Sequence, residues 1–168
     1  LSEMKDGLFP NIGEKETALY NSVDAPLWFI RTLQKYADFT HSKKEIWNEY
    51  GNSLKSIFNA YKKGSLFNIH MEQNGLIFAG SEKVALTWMD AMVHGTPVTP
   101  RTGYQVEING LWYNGLQFAL ECARLAKDEA FVKEWEDLVK EFPAVFKETF
   151  WSKEKGYLAD YVNGDYKN

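Results

Sequence analysis

The sequence has little of what marks several common protein classes. Its single cysteine, Cys122, excludes an internal disulfide framework and permits a reducing compartment, so we expect a cytoplasmic location. No apolar run approaches the roughly 20 residues of a membrane helix, and the mean hydropathy of -0.42 agrees. The 23 acidic residues outnumber the 19 basic ones, and the basic residues form no evident patch. We therefore expect neither a membrane nor a nucleic-acid partner.

Motifs for metals and cofactors are equally scarce. The three histidines, His41, His70 and His94, lie far apart and lack the paired spacing of a zinc helix. The sequence holds no glycine-rich phosphate loop and no nucleophile elbow. Cys122 falls on the inward stripe of a helix, which argues against a cysteine nucleophile. We expect no metal and no cofactor.

The sequence does contain an excess of aromatic residues. Its 168 residues, 45% hydrophobic and 25% charged, have the size and balance of an ordinary globular domain. Aromatic residues reach 15%, with 6 Trp, 9 Tyr and 11 Phe. Because the first residue is Leu1 rather than Met, we expect the chain to be a piece of a longer protein.

Four segments show helical periodicity. The first follows Ser22 and Asp24, both able to accept helix N-terminal hydrogen bonds, and the second ends at Gly64. The third is predicted from about residue 106 to 126. The fourth follows at once, is interrupted by Pro143 and resumes through Phe150. Asn74-Gly75 favours a hairpin within 66–79, residues 81–104 form a long loop, and 155–160 is extended.

The order of these elements predicts the fold class. Two helical hairpins, each followed by a short extended piece, are typical of a helical repeat or toroid more than of a closed bundle. We predict an all-α domain with short β-hairpin excursions. Residues 160–168 offer no core of their own, which indicates truncation.

The loop and helix start between Thr87 and Tyr113 combine residue types that bind sugars. Aromatic faces cover the C–H surface of a sugar, while carboxylate, amide and guanidinium groups hydrogen-bond its hydroxyls. Glycoside hydrolysis also needs two carboxyl groups. Flanking by Trp88 and Met89 would shield Asp90 from water and suit it to the role of general acid. The alternative is structural: core aromatic residues, a turn aspartate, and Glu107 as a helix-start carboxylate.

Several blocks then resemble one known family. The motifs, in order, are Tyr20-Asn21-Ser22-Val23-Asp24-Ala25 with Trp28, Gly75 to Gly80, Leu86-Thr87-Trp88-Met89-Asp90-Ala91, and Val98 to Leu116. Together they resemble the C-terminal amylo-1,6-glucosidase domain of glycogen debranching enzymes, from about Phe9 to Tyr161.

The resemblance implies an (α/α)6 toroid and an inverting α-1,6-glucosidase acting on glycogen or limit dextrin. It implies that Asp90 is the general acid. The residues implied to line the sugar pocket are Asn21, Asp24, Trp28, Trp88, Arg101, Glu107, Asn109 and Trp112, with Glu107 alternatively a structural carboxylate that orients Arg101.

Departures from the family pattern limit what the resemblance implies. Gly103-Tyr104-Gln105-Val106-Glu107 replaces the common Gly-Lys-Pro-Val-Glu, which removes any role for the lysine. The family's catalytic base lies downstream of these 168 residues. We therefore expect a partial glucosidase domain over 1–168, truncated at both ends, inactive alone and self-associating through uncovered helix faces. The alternatives are a trehalase-like or processing glucosidase of the same toroid type, and a non-catalytic helical binding module.

Overall fold

A computed structural model describes residues 1–164 and 166–167, and only the backbone at Lys15, Tyr166 and Lys167. About half of the chain is helical, in α1 (Ala25–Thr40), α2 (Lys43–Lys63), α3 (Val106–Ala126) and α4 (Glu129–Phe150). Short antiparallel pairs occupy the connections: β1 (His70–Met71) with β2 (Ile77–Phe78), β3 (Met92–Val93) with β4 (Thr96–Pro97), β6 (Trp151–Ser152) with β7 (Tyr157–Leu158), and β8 (Tyr161–Asn163) between β5 (Tyr104–Gln105) and β9 (Tyr166–Lys167).

The first two helices form as their periodicity predicts. Ser22 Oγ accepts a hydrogen bond from Ala25 N at 3.2 Å at the start of α1. The prediction that Asp24 also caps this helix is wrong, because its side chain makes no capping bond and instead accepts from Ser22 Oγ. Helix α2 ends at Gly64, whose φ of 100° is accessible to glycine but strained for other residues.

A tight hairpin follows, as Asn74-Gly75 predicts. Its turn closes with a hydrogen bond of 2.9 Å from Gly75 N to Glu72 O, and Asn74 Oδ1 accepts from Leu76 N at 3.1 Å. The register places His70 opposite Phe78 and Met71 opposite Ile77. The long loop after it carries the β3–β4 hairpin, which the sequence did not predict.

Helix α3 lies at the centre and packs against α1, α2 and α4. Helix α4 runs without interruption through Pro143, so the predicted break is wrong. Proline removes one helical hydrogen bond, but buried side chains on both sides, Trp135, Phe142 and Phe150, hold the two halves in line.

The C-terminal segment, predicted to have no core of its own, packs onto the core of the rest of the chain. Strand β8 pairs with β5, and Val162 is buried. Gly103 permits this pairing: its φ is +138°, and a Cβ there would lie 2.3 Å from Val162 O. Of the predicted tail, Asp165 and Asn168 lie outside the described residues. No helix in the described part of the chain has both the length and the apolar character needed to cross a membrane.

Candidate functional site

The segment before α1 and the loop that carries Asp90 lie side by side. Val23 N donates a hydrogen bond of 2.9 Å to Leu86 O, and buried Tyr61 donates one of 2.7 Å to Val23 O. Burial, with the nearby Asp24 carboxylate, raises the pKa of Tyr61 well above its usual value, so its hydroxyl stays a donor. Two sequence-distant blocks therefore meet at one end of the helices.

Three predicted sugar-binding residues lie on or just before the first turn of α1. Asp24 is half-buried and is oriented by Ser22, whose Oγ donates to Asp24 Oδ1 at 2.5 Å. Asn21 is half-buried, and its Oδ1 accepts from Asn11 Nδ2 at 3.4 Å. Trp28 is 53% exposed, which leaves an aromatic face open to a ligand.

Arg101 is buried and is the centre of an ion-pair network. Its Nη1 and Nη2 donate to the two Glu107 oxygens at 2.6 and 2.7 Å. Its Nε and Nη2 donate to the two Asp160 oxygens at 2.8 and 2.9 Å, and Nη2 also reaches Asp160 O at 3.2 Å. Nη1 donates to Thr87 Oγ1 at 3.2 Å. We call these four residues, Thr87, Arg101, Glu107 and Asp160, the arginine clamp.

The Arg101 guanidinium keeps its positive charge although it is buried. The Arg101 side chain is only 5% exposed. Burial alone would lower the pKa of Arg101, but the hydrogen bonds and charges of Glu107 and Asp160 outweigh it and hold the pKa above its ordinary value. Glu107 and Asp160 side chains are 30% and 49% exposed, so each carboxylate keeps an accessible edge.

All five N–H groups of Arg101 already have acceptors within the arginine clamp. The guanidinium therefore has no donor left for a sugar hydroxyl, which argues against the direct contact predicted for Arg101. The alternative expected for Glu107, a carboxylate that orients Arg101, matches the observed pair of hydrogen bonds.

Asp90 lies on an open stretch between the arginine clamp and the β3–β4 hairpin. Thr87 is buried, whereas Trp88 is 67% exposed and Asp90 is exposed. On the far side, Val98 N donates to Ala91 O at 2.9 Å. The expectation that Trp88 and Met89 shield the carboxyl group is wrong for the described chain, because Trp88 turns to the surface.

Asn109 and Trp112 belong to the core, so the prediction that their side chains line a sugar pocket is not met here. Both are 0% exposed. Asn109 Oδ1 accepts a hydrogen bond from Ile77 N at 2.7 Å, and Asn109 Nδ2 donates one to Ile77 O at 3.0 Å. The Trp112 indole donates to Gly75 O at 3.2 Å and stacks on Tyr61 at 5.8 Å. These two side chains tie α3 to the β1–β2 hairpin and to α2.

Thr87 and Arg101 of the arginine clamp border a cavity of only about 10 Å³, next to Gly80 and Met89. This is room for about one water molecule and far below the volume of a sugar pocket. Trp28, Trp88 and Asp90 do not line this cavity, and all three are exposed. Among the described residues, no three His, Cys, Asp or Glu side chains gather as metal ligands would.

The sequence reasoning missed two members of the arginine clamp, Thr87 and Asp160, as site residues. Asp160 lies 59 residues after Arg101, in a segment predicted only to be extended. Local spacing cannot reveal this contact, because it depends on β8 pairing with β5. The only local signal is an acidic residue directly after the apolar pair Leu158-Ala159.

The helical fold of this chain is also found within a larger solved structure. A rhamnosidase from Klebsiella oxytoca with rhamnose bound shares it, with a TM-score of 0.58 and 13% identity over 94% of this chain and 28% of that one. At this identity the likeness shows the fold alone.

The sequence then identifies the family. The amylo-alpha-1,6-glucosidase family profile matches residues 1–168, and the chain belongs to this family. The glycogen debranching enzyme of Saccharomyces cerevisiae is 27% identical over 173 residues, a match that covers 70% of this chain and 11% of the yeast enzyme. The chain thus spans about a ninth of that relative's length. The predicted resemblance is confirmed.

Proposed function

We propose that the protein containing this chain is an inverting α-1,6-glucosidase acting on branched α-glucans such as glycogen or limit dextrin. Family membership supports the reaction class. The observation that carries the site is the hydrogen bond from Val23 N to Leu86 O, because it brings the Asp24 segment beside the loop of Trp88 and Asp90. These are the two blocks that the reaction would need together.

In this proposal Asp90 is the general acid. It protonates the oxygen of the α-1,6 glycosidic bond while a second carboxylate, outside these 168 residues, activates water on the opposite face of the sugar. An inverting reaction needs roughly 6.5 to 9.5 Å between the two carboxyl groups to admit that water. Packing of the remaining domain over the loop would supply the shielding that this chain alone does not give to Asp90.

The terminal glucose is held, we infer, by the accessible members of the predicted set. Trp28 and Trp88 offer aromatic faces, and Asn21, Asp24 and Glu107 offer hydrogen-bond acceptors. Arg101, Asn109 and Trp112 act behind them by fixing backbone and carboxylate positions.

The complete domain is proposed to be an (α/α)6 toroid, to which this chain contributes four helices. The rhamnosidase fold likeness supports a helical glycosidase architecture. Exposed apolar side chains on α1, including Tyr36 and Phe39, are a surface that further helices would cover. The chain alone is therefore expected to self-associate and to hydrolyse nothing. A cytoplasmic location remains a prediction.

A substrate comparison tests the reaction class. The full-length protein should release glucose from limit dextrin and from panose-type α-1,6 substrates, and leave trehalose intact. Hydrolysis of trehalose in preference to the α-1,6 substrates would favour a trehalase-like enzyme instead.

The exposure of Trp88 and Asp90 favours one second candidate, a non-catalytic module that binds α-glucan through its aromatic side chains. Substitution Asp90→Asn separates the two. The enzyme loses about 10²- to 10⁴-fold in kcat when its general acid is removed, whereas a binding module shows no hydrolysis to lose. Asp137→Asn, at an exposed aspartate on α4, is the matched control and should leave kcat unchanged.

A further inference from the structure

We infer that Asp160 is a positioning residue for the reaction: through Arg101 it fixes Thr87 and so the short segment that presents Asp90. This inference rests on the proposed function. Asp160 belongs to none of the blocks that carry the family resemblance.

The first step is the rigidity of the arginine clamp. The Arg101 guanidinium forms two bidentate pairs, one with both Glu107 oxygens and one with both Asp160 oxygens. Bidentate charge-assisted bonds of this kind fix orientation as well as position. With its side chain 5% exposed, Arg101 has little water to replace a lost carboxylate partner.

The second step is the fixed place of Asp160. Its carbonyl accepts a hydrogen bond of 3.0 Å from Val106 N, the first residue of α3. The backbone N–H of the preceding residue, Ala159, donates a hydrogen bond of 2.7 Å to Phe150 O at the end of α4. Strand β8 begins directly after Asp160. Asp160 is therefore tied to two helices and a strand, which makes it a rigid anchor.

The third step is the link to the acid. Arg101 Nη1 donates to the hydroxyl of buried Thr87, three residues before Asp90. Thr87 Oγ1 also accepts from Met89 N at 3.4 Å, which shapes the backbone directly before Asp90. The preceding carbonyl, of Leu86, is held by Val23 N. The arginine clamp thus sets where the Asp90 segment leaves the folded core.

A general acid works only within hydrogen-bond reach of the leaving oxygen, and a displacement of about 1 Å can cost about 10²-fold in rate. Loosening Thr87 should therefore impair proton donation more than sugar binding. The effect should depend on whether the leaving group needs a proton. In limit dextrin the bond between C1 of the branch glucose and O6 of the glucan breaks, and the departing O6 needs a proton from the acid. In α-glucosyl fluoride the C1–F bond breaks, and fluoride departs without one.

The test measures kcat and KM of the full-length protein on both substrates. Thr87→Val keeps the shape of the side chain but removes the acceptor, and it should lower kcat on limit dextrin about 10- to 100-fold with KM within about twofold. Hydrolysis of α-glucosyl fluoride should persist and serves as the test of correct folding. Thr87→Ser, which keeps the hydroxyl, should have a kcat on limit dextrin close to that of the parent protein. The control Thr96→Val alters an exposed threonine of the same loop and should change neither substrate.

Asp160→Asn is the second variant, and it should show the same selective loss. Equal losses on both substrates, or none on either, in both Thr87→Val and Asp160→Asn would overturn the inference. If Asp90→Asn itself hydrolyses limit dextrin at the normal rate, the proposed function fails and the inference fails with it. A selective loss in Asp90→Asn without one in the two clamp variants would overturn the inference alone.

Discussion

Replacing Trp112 by phenylalanine tests whether this residue is core rather than sugar-facing. The indole is fully buried, donates to Gly75 O, and contacts the rings of Phe58, Tyr61 and Trp135 at 5.4 to 5.9 Å. Phenylalanine loses that hydrogen bond, worth about 1 kcal/mol net. It also leaves a gap of about three ring atoms, each comparable to a buried methylene worth about 0.8 kcal/mol. Partial relaxation of the neighbouring rings should bring the total to about 2 kcal/mol.

Hydrogen exchange of the full-length protein, read on peptides from α2 and α3, measures this loss locally. About 2 kcal/mol corresponds to roughly 30-fold faster exchange of amides that open with the core. The matched control is Trp88→Phe, the same substitution at an exposed position. It should change the free energy of opening that is derived from exchange by less than about 0.5 kcal/mol. Unchanged exchange in Trp112→Phe, together with a raised KM for limit dextrin, would refute the placement of Trp112 in the core.

Two further predictions concern helices α3 and α4. Asp128 caps α4 and accepts from Lys55 and Trp47. The pKa of Asp128 is lowered, first by the hydrogen bond from Lys55. The carboxylate therefore stabilises the folded state at neutral pH. This stabilisation is lost as the pH falls below the pKa of Asp128 in the unfolded chain and towards its lower pKa in the folded one. Asp128→Ala should therefore cost about 1 to 2 kcal/mol at pH 7, measured by urea unfolding, and clearly less near pH 3. An equal cost at both pH values would contradict this. Gly110→Ala should stabilise by about 1 kcal/mol, because no atom lies within 4 Å of its added Cβ. A lower thermal unfolding midpoint for Gly110→Ala than for the parent protein would contradict this prediction.

Periodicity predicted the helices well because their apolar stripes are long. Helix α3 begins and ends where its pattern does, at residues 106 and 126. Pro143 misled the prediction because proline is a local signal, whereas the packing of Trp135 and Phe150 that keeps α4 continuous is not local. Strand β8 was missed since its partner β5 lies some 56 residues earlier in the register that joins Gln105 to Tyr161.

The candidate site was only partly visible in the sequence. Trp88 and Trp112 have the same chemistry and lie in the same motif region, but only tertiary packing decides that one is exposed and the other buried. Arg101 was found by its residue type, yet its role changes once Asp160 is known to occupy its donors. Contacts between such distant positions follow from topology and leave no local pattern.

The most direct test of the proposed acid compares Asp90→Asn with the parent full-length protein on limit dextrin and α-glucosyl fluoride. Removing a general acid should lower kcat on limit dextrin about 10²- to 10⁴-fold and leave fluoride release within a few-fold of the parent. The control Asp137→Asn should preserve both rates. Equal retention of both activities in Asp90→Asn, or an equal loss of both in a folded protein, would contradict the assignment of Asp90 as the proton donor.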